Sequence, residues 1–219
     1  MIRRPGLAIA IAIAATGCSS AKPAADMAIT VAAASDLRPA FDRIAALTKK
    51  ADGVTVTFTY GSSGQLAEQI VQGAPFDVFA SADSSYAAKV LRSRGADPSS
   101  SIKFATGRVV MWVATGPPPA TLRDLVDPKY RHIVLANPEH APYGRAAKEA
   151  LLNEGIWEQV KDRLVLADNV SDAMRIAQSG NADVGLVALS LVKAAANGQY
   201  TEIAVDHHQP LNQMLVITG

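Results

Sequence analysis

The chain has 219 residues, 49% hydrophobic and only 5% aromatic, with 21 basic and 20 acidic side chains. That length accommodates one large α/β domain or two small lobes, each with a core of its own. Two of the basic residues, Arg3 and Arg4, belong to an N-terminal leader, which leaves 19 basic against 20 acidic. This balance excludes the basic stripe of a nucleic-acid binder and the polybasic patch of a lipid-surface binder.

In the leader, Arg3 and Arg4 precede the apolar run LAIAIAIAA (7–15), and Thr16, Gly17 and Cys18 follow. Charge, apolar core and small residues in that order describe a secretory signal. The run is too short to cross ~30 Å of hydrocarbon as a mature helix. Cys18 is the only cysteine, so no disulfide framework exists. It stands where a bacterial lipobox places its acylated residue, although Ala15 occupies the position where leucine is usual. The plainer alternative is an ordinary signal followed by an incidental cysteine. Residues 1–17 are therefore expected to be signal and residues 18–26, small and polar, a flexible tether. A lipid on Cys18 would hold the domain in the periplasm, or at the outer face of the cytoplasmic membrane, without spanning it.

From there the chain alternates. ITVAAA (29–34) reads as a strand, followed by a helix with Leu37, Phe41, Ile44 and Leu47 on one face. VTVTFTY (54–60) is a second strand, before a helix carrying Leu66, Ile70 and Val71, and FDVFASA (76–82) a third, before a helix from Tyr86 to Leu91. Further strands are expected at 108–115, 132–137, 163–168 and 182–189, with helices at about 144–153 and 171–179. QMLVITG (213–219) is strand-like. Such alternation argues for parallel sheets flanked by helices, with ligands beyond the carboxyl ends of the strands.

Four strand-to-helix turns repeat one chemistry. They are Ala34-Ser35-Asp36-Leu37, Gly61-Ser62-Ser63-Gly64, the segment Asn137 to Gly144 that contains His140 and Tyr143, and Asp168-Asn169-Val170-Ser171. Helix starts offer unpaired N–H groups and partial positive charge, and hydroxyls add neutral donors, so converging turns would cage an anion without a cation. Taken singly, each turn reads first as a helix cap.

AAASDL (32–37), GSSGQLAEQI (61–70), GAPFDVFASAD (73–83), NPEHAPYGRAAKEAL (137–151) and DNVSDAMRIAQSGNADVGLVALS (168–190) resemble, in order and spacing, the periplasmic molybdate-binding proteins of ABC importers. The resemblance implies an α/β, two-lobed periplasmic-binding fold of type II, each lobe a mixed, mostly parallel sheet flanked by helices. Residues 27–105 plus 206–219 would form the first lobe and residues 106–205 the second. It further implies that molybdate or tungstate is held through its oxygens, with no residue on the metal itself, by Ser35, Ser63, Tyr143 and the backbone of Val170. In part of the family a tyrosine enters the cleft where this chain has Ala188, which makes Ala188 a marginal candidate and Tyr143 the replacement donor. Tyr143 also reads as a packed interlobe residue. A permease of the importer and the membrane are the implied partners of a monomer with no cofactor and no catalysis. Relatives continue some thirty residues past QMLVITG with a helix on the first lobe, so exposed apolar surface and a weakened lobe are expected here.

Asp36 is the awkward residue. A carboxylate beside a bound dianion is repulsive, so its side chain is expected to face solvent while its N–H faces the ligand. Alternatively it accepts a proton from a protonated anion such as hydrogen phosphate. Other constellations carry less. His207-His208 lacks metal-ligand company and reads as a surface pair. Asp77 and Asp83 read as loop caps that organise a hinge. No catalytic elbow, zinc-protease or phosphate-loop motif occurs, and a hydrolase built on Ser63 would have to borrow His140 or His132 as base. Sulfate, phosphate or a small organic anion are the other ligands such turns would suit.

Overall fold

The computed structural model describes residues 28–95 and 97–218. The leader, Cys18 and the tether lie outside the described residues. In chain order the elements are β1 (Ala28–Ala34), α1 (Arg38–Asp52), β2 (Thr55–Gly61), α2 (Ser63–Val71), β3 (Val78–Ser81), α3 (Ser84–Arg94), β4 (Ser101–Gly107), β5 (Val109–Val113) and β6 (Ile133–Ala136). They continue with α4 (Pro142–Asn153), α5 (Trp157–Val160), β7 (Leu164–Ala167), α6 (Val170–Gln178), β8 (Val184–Ala188), α7 (Leu189–Ala194), β9 (Gln199–Glu202) and β10 (Leu211–Ile217).

Two five-stranded sheets result, ordered β2-β1-β3-β10-β4 and β7-β6-β8-β5-β9. In each, three strands run parallel and a strand from elsewhere in the chain is inserted antiparallel to its neighbours: β10 in the first and β5 in the second. The sheets are therefore mixed, where simple alternation suggested parallel ones. The chain leaves the first sheet between β4 and β5, with Arg108 alone between the two strands, and returns between β9 and β10. The two crossings stay side by side: Gly107 pairs with Leu211, Val110 pairs with Glu202, and Ile203 N donates to Val109 O at 3.0 Å. Arg108 is ion-paired with Glu202 at 2.7 Å.

The second sheet supplies most of the core. β5, β6 and β8 are buried at every position, as their unbroken apolar sequences require of strands covered on both faces. The first sheet is different. No α1 residue is fully buried, and Ile44 and Leu47 are 51% and 58% exposed. Of the stripe read from the periodicity, Leu37 is buried in the turn before α1, while Phe41 and Ile44 line an open apolar groove with Val31, Val56, Phe58, Phe104 and Leu215.

Two strands go unread in the sequence. β4 (SIKFATG) and β9 (QYTE) are edge strands, polar or charged at positions where an interior strand would be apolar. The histidine pair also differs from expectation. His208 is only 7% exposed, with Nδ1 2.8 Å from Gln209 O, whereas His207 lies at the end of a 3-10 turn with its ring 3.9 Å from Glu154. The segment entering β10 is irregular, so its side chains do not alternate as in a strand and the second ring packs inside. Among the described residues no helix is long and apolar enough to cross a membrane.

Candidate functional site

Strand register brings the four turns together. Ala34, the last residue of β1, pairs with Gly61, the last of β2, so Ser35 and the Ser62-Ser63 pair leave the first sheet at one level. In the second sheet Ala136 of β6 pairs with Ala167 of β7, which sets the turns before α4 and α6 at one level too. The two sets face each other. One narrow cavity is lined by Ser35, Asp36, Ser62 and Ser63 from the first sheet's side and by Tyr143 and Val170 from the other. Ala188 is not part of that wall; it ends β8, fully buried, paired with Val109.

Local bonding decides what each turn residue has to offer. Ser63 is fully buried and its Oγ accepts the N–H of Ala82 at 3.0 Å, which leaves the hydroxyl hydrogen to donate. Ser35, which opens a short 3-10 turn and is not a side-chain cap, likewise accepts through Oγ from Ser171 N at 3.2 Å. Asn169 caps α6 by accepting from the N–H groups of Ser171 and Asp172, so the first N–H of that helix, on Val170, is the one the cap does not take. These donors are neutral, and no group able to hold a metal ion is found among the described residues.

Asp36 departs from expectation. Its side chain does not face solvent: the residue is 1% exposed and forms part of the cavity wall. The 3-10 turn at Ser35–Leu37 tucks it beneath the opposing lobe, where Tyr143 Oη donates to its Oδ2 at 3.0 Å and Gln213 Nε2 donates to the same oxygen. Oδ1 is buried without a hydrogen-bond partner among the described residues. Burial pushes the carboxyl up to about 6, against the lowering effect of the bonds from Tyr143 and Gln213. The tyrosine hydroxyl, buried and beside that carboxylate, is held well above its ordinary range and stays protonated.

The lobes touch through further polar contacts around the cavity. Ser171 Oγ donates to Ser35 O at 2.8 Å and Ser190 Oγ to Asp36 O at 2.9 Å. His140 is engaged twice: its carbonyl accepts from Gly64 N at 2.9 Å, and its Nδ1 lies 2.8 Å from Ser62 Oγ. The imidazole thus meets Ser62, not Ser63, and gives the latter no base. Arg145 of α4 reaches Asp83 at 2.8 Å. Asp83 also caps α3 by accepting from Ser85 N, and Asp77 ties down β1 by accepting from Thr30 N at 2.7 Å and Thr30 Oγ1 at 2.8 Å.

Of the glycines with no room for a side chain, two face the opposite sheet's elements. A Cβ on Gly64 would meet the His140 carbonyl, and one on Gly107 would meet the Tyr143 hydroxyl. The close approach is between lobes in both cases. Gly64 was visible in the sequence as half of a Gly-Ser-Ser-Gly turn. Gly107 and Gln213 carry no sequence signal, because their importance lies in what distant parts of the chain, Tyr143 for the one and Asp36 with Tyr143 for the other, place against them.

Residues 29–219 match the family described as bacterial extracellular solute-binding protein. The chain is 36% identical over 200 residues to a molybdate-binding protein of Rhodobacter capsulatus, covering 90% of this chain and 78% of that one. It is 32% identical over 216 residues to a molybdate-binding protein of Azotobacter vinelandii, covering 95% and 84%. A solved structure of the periplasmic molybdate-binding protein of Azotobacter vinelandii superposes with a TM-score of 0.80 at 32% identity, covering 87% of this chain and 85% of that one.

Proposed function

The chain belongs to the bacterial extracellular solute-binding proteins, and from that premise we propose that it captures molybdate, or its congener tungstate, for an ABC importer. The observation that carries this reading is the convergence of Ser35, Ser63, Tyr143 and Val170, far apart in sequence, on one cation-free cavity between the lobes. A tetrahedral dianion fits such chemistry. The Ser35 and Ser63 hydroxyls and the Val170 N–H supply charge-assisted hydrogen bonds to its oxygens, each contributing about 1.5–3 kcal/mol, while Tyr143, whose hydrogen goes to Asp36, closes the wall. Discrimination from sulfate, alike in shape and charge, would then rest on the size of the cage.

The function is binding without chemistry. The first sheet with its helices, Gly107 of β4 included, moves as one lobe and the second sheet with its helices as the other; they open to admit the anion and close on it, and the loaded form docks on the permease. Export through the leader and an acyl chain on Cys18 place a monomer at the outer face of the cytoplasmic membrane or in the periplasm.

Titration calorimetry of the purified domain with molybdate, tungstate and sulfate tests the reading. Tight binding of the two metalates, weak binding of sulfate and a raised melting temperature with molybdate are expected. Sulfate or phosphate binding that equals or exceeds molybdate binding would overturn it.

A further inference from the structure

We propose that Asp36 couples anion capture to protonation: in the loaded site its carboxyl is neutral and donates a hydrogen bond from Oδ1 to an oxygen of the anion, so one proton enters with each dianion. The inference rests on the reading of the cavity as an oxyanion site. The proton comes from solvent and bonds to Oδ1, no other bond is made or broken, and the pair leaves together when the lobes open.

Three observations converge. Asp36 is buried in the wall of the cavity, and its Oδ2 is already occupied by Tyr143 and Gln213. Its Oδ1 is equally buried and meets no partner among the described residues. The groups facing it from the packed elements are Tyr143 of α4, Gln213 of β10 and Ser190 of α7, the last donating to its backbone carbonyl, while Ser171 of α6 engages the adjacent Ser35. None of these is a cation, so nothing nearby neutralises an ionised carboxylate.

An ionised Asp36 would put a third negative charge against a bound dianion in a site shielded from water, and it would have no hydrogen to give. The neutral acid removes the repulsion and turns a bare acceptor into a donor. Burial has already moved this carboxyl most of the way towards the physiological range, and a neighbouring dianion pushes it further in the same direction. Besides Tyr143, the titratable side chain nearest the cavity is His140, whose Nδ1 lies 2.8 Å from Ser62 Oγ and which makes no bond to Asp36. A substitution at Asp36 leaves it in place, which separates the two.

Calorimetric titration of the protein with sodium molybdate at pH 8, in two buffers of different protonation enthalpy, counts the protons directly. Uptake near one per anion is expected, with affinity falling about tenfold per pH unit between pH 7 and pH 9. Asp36→Asn carries a permanent N–H donor. It should abolish the proton uptake, flatten the pH profile and bind at least about tenfold more tightly than the wild type at pH 9. Tight wild-type binding without proton uptake overturns the inference and leaves the molybdate reading standing. Uptake that persists in Asp36→Asn overturns it by assigning the proton elsewhere, and so does a folded Asp36→Asn that no longer binds. Failure of molybdate to bind either protein at any pH is a different result: the functional reading falls, and the inference with it.

Discussion

At the scale of single residues, Tyr143 spends its one hydrogen on Asp36, whereas Ser35 and Ser63 have their acceptor side already used. Ser63 shows this best, since Ala82 N–H fixes its oxygen and leaves only the hydrogen free. Ser63→Ala should weaken molybdate binding by about 1–3 kcal/mol, measured by calorimetry, with little change in fold because the lost group is small and its partner is one backbone N–H. Asp36 gives a second prediction, in the absence of ligand. Its folded pKa, about 6, is raised above the ordinary carboxylate value of 3.8 by burial. A raised value means the stabilising contribution is fully present below pH ~4 and lost as pH rises through ~6. Asp36→Asn should therefore be about as stable as the wild type near pH 4 and more stable at pH 8, by up to about 3 kcal/mol. Denaturant melts of both proteins across that range check the sign. Equal stability at pH 8 would show that the ionised carboxylate is better solvated than its burial implies.

At the scale of elements, what the sequence disclosed depended on how completely each element is buried. β5, β6 and β8 are continuous apolar runs because both faces are covered, and they were legible at once. β4 and β9 sit at sheet edges, keep polar side chains, and were not. The turns were legible only as caps or donors, since Ser, Gly and Asn at a strand-to-helix junction serve as either; Asn169 caps, and Ser35 and Ser63 do not. The burial of Asp36 is not legible in the sequence, because its environment comes from Tyr143 and Gln213, over a hundred positions away, and no local pattern records that. Register joined the turns into one cavity, through pairs such as Ala34 with Gly61 and Ala136 with Ala167, and register is a property of sheets. The α1 periodicity marks a real apolar stripe, but its cover is incomplete. Since no α1 residue is fully buried while seven residues of α4 are, backbone amides of Arg38–Asp52 should exchange with solvent faster than those of Pro142–Asn153. Native-state hydrogen exchange measures this, and equal protection of the two helices would contradict it.

At the scale of the whole molecule, the two lobes meet through neutral contacts between backbone and hydroxyl groups more than through charge. The Arg145–Asp83 pair, with a partly exposed arginine, contributes at most about 1 kcal/mol and less in salt. The lobes should therefore hold together almost as well at high ionic strength as at low. Molybdate affinity measured in 50 mM and 500 mM sodium chloride should differ by only a few-fold, since there is no cation in the cavity for salt to screen.

Gly107 sits one residue from the point where the chain first crosses between sheets, and its absent side chain is the space the Tyr143 hydroxyl occupies. A stop set that close to a door's pin holds the far edge wide open, because a small displacement near the axis is multiplied along the leaf. Gly107→Ala should act in that way: a single methyl props the jaws ajar and spreads the Ser35–Ser63 rim from the Val170 rim by more than its own width. Small-angle scattering with saturating molybdate would then report a larger radius of gyration than the wild type, and affinity would fall although no donor had been removed. The smallest residue in the chain would thus set how far the mouth can shut.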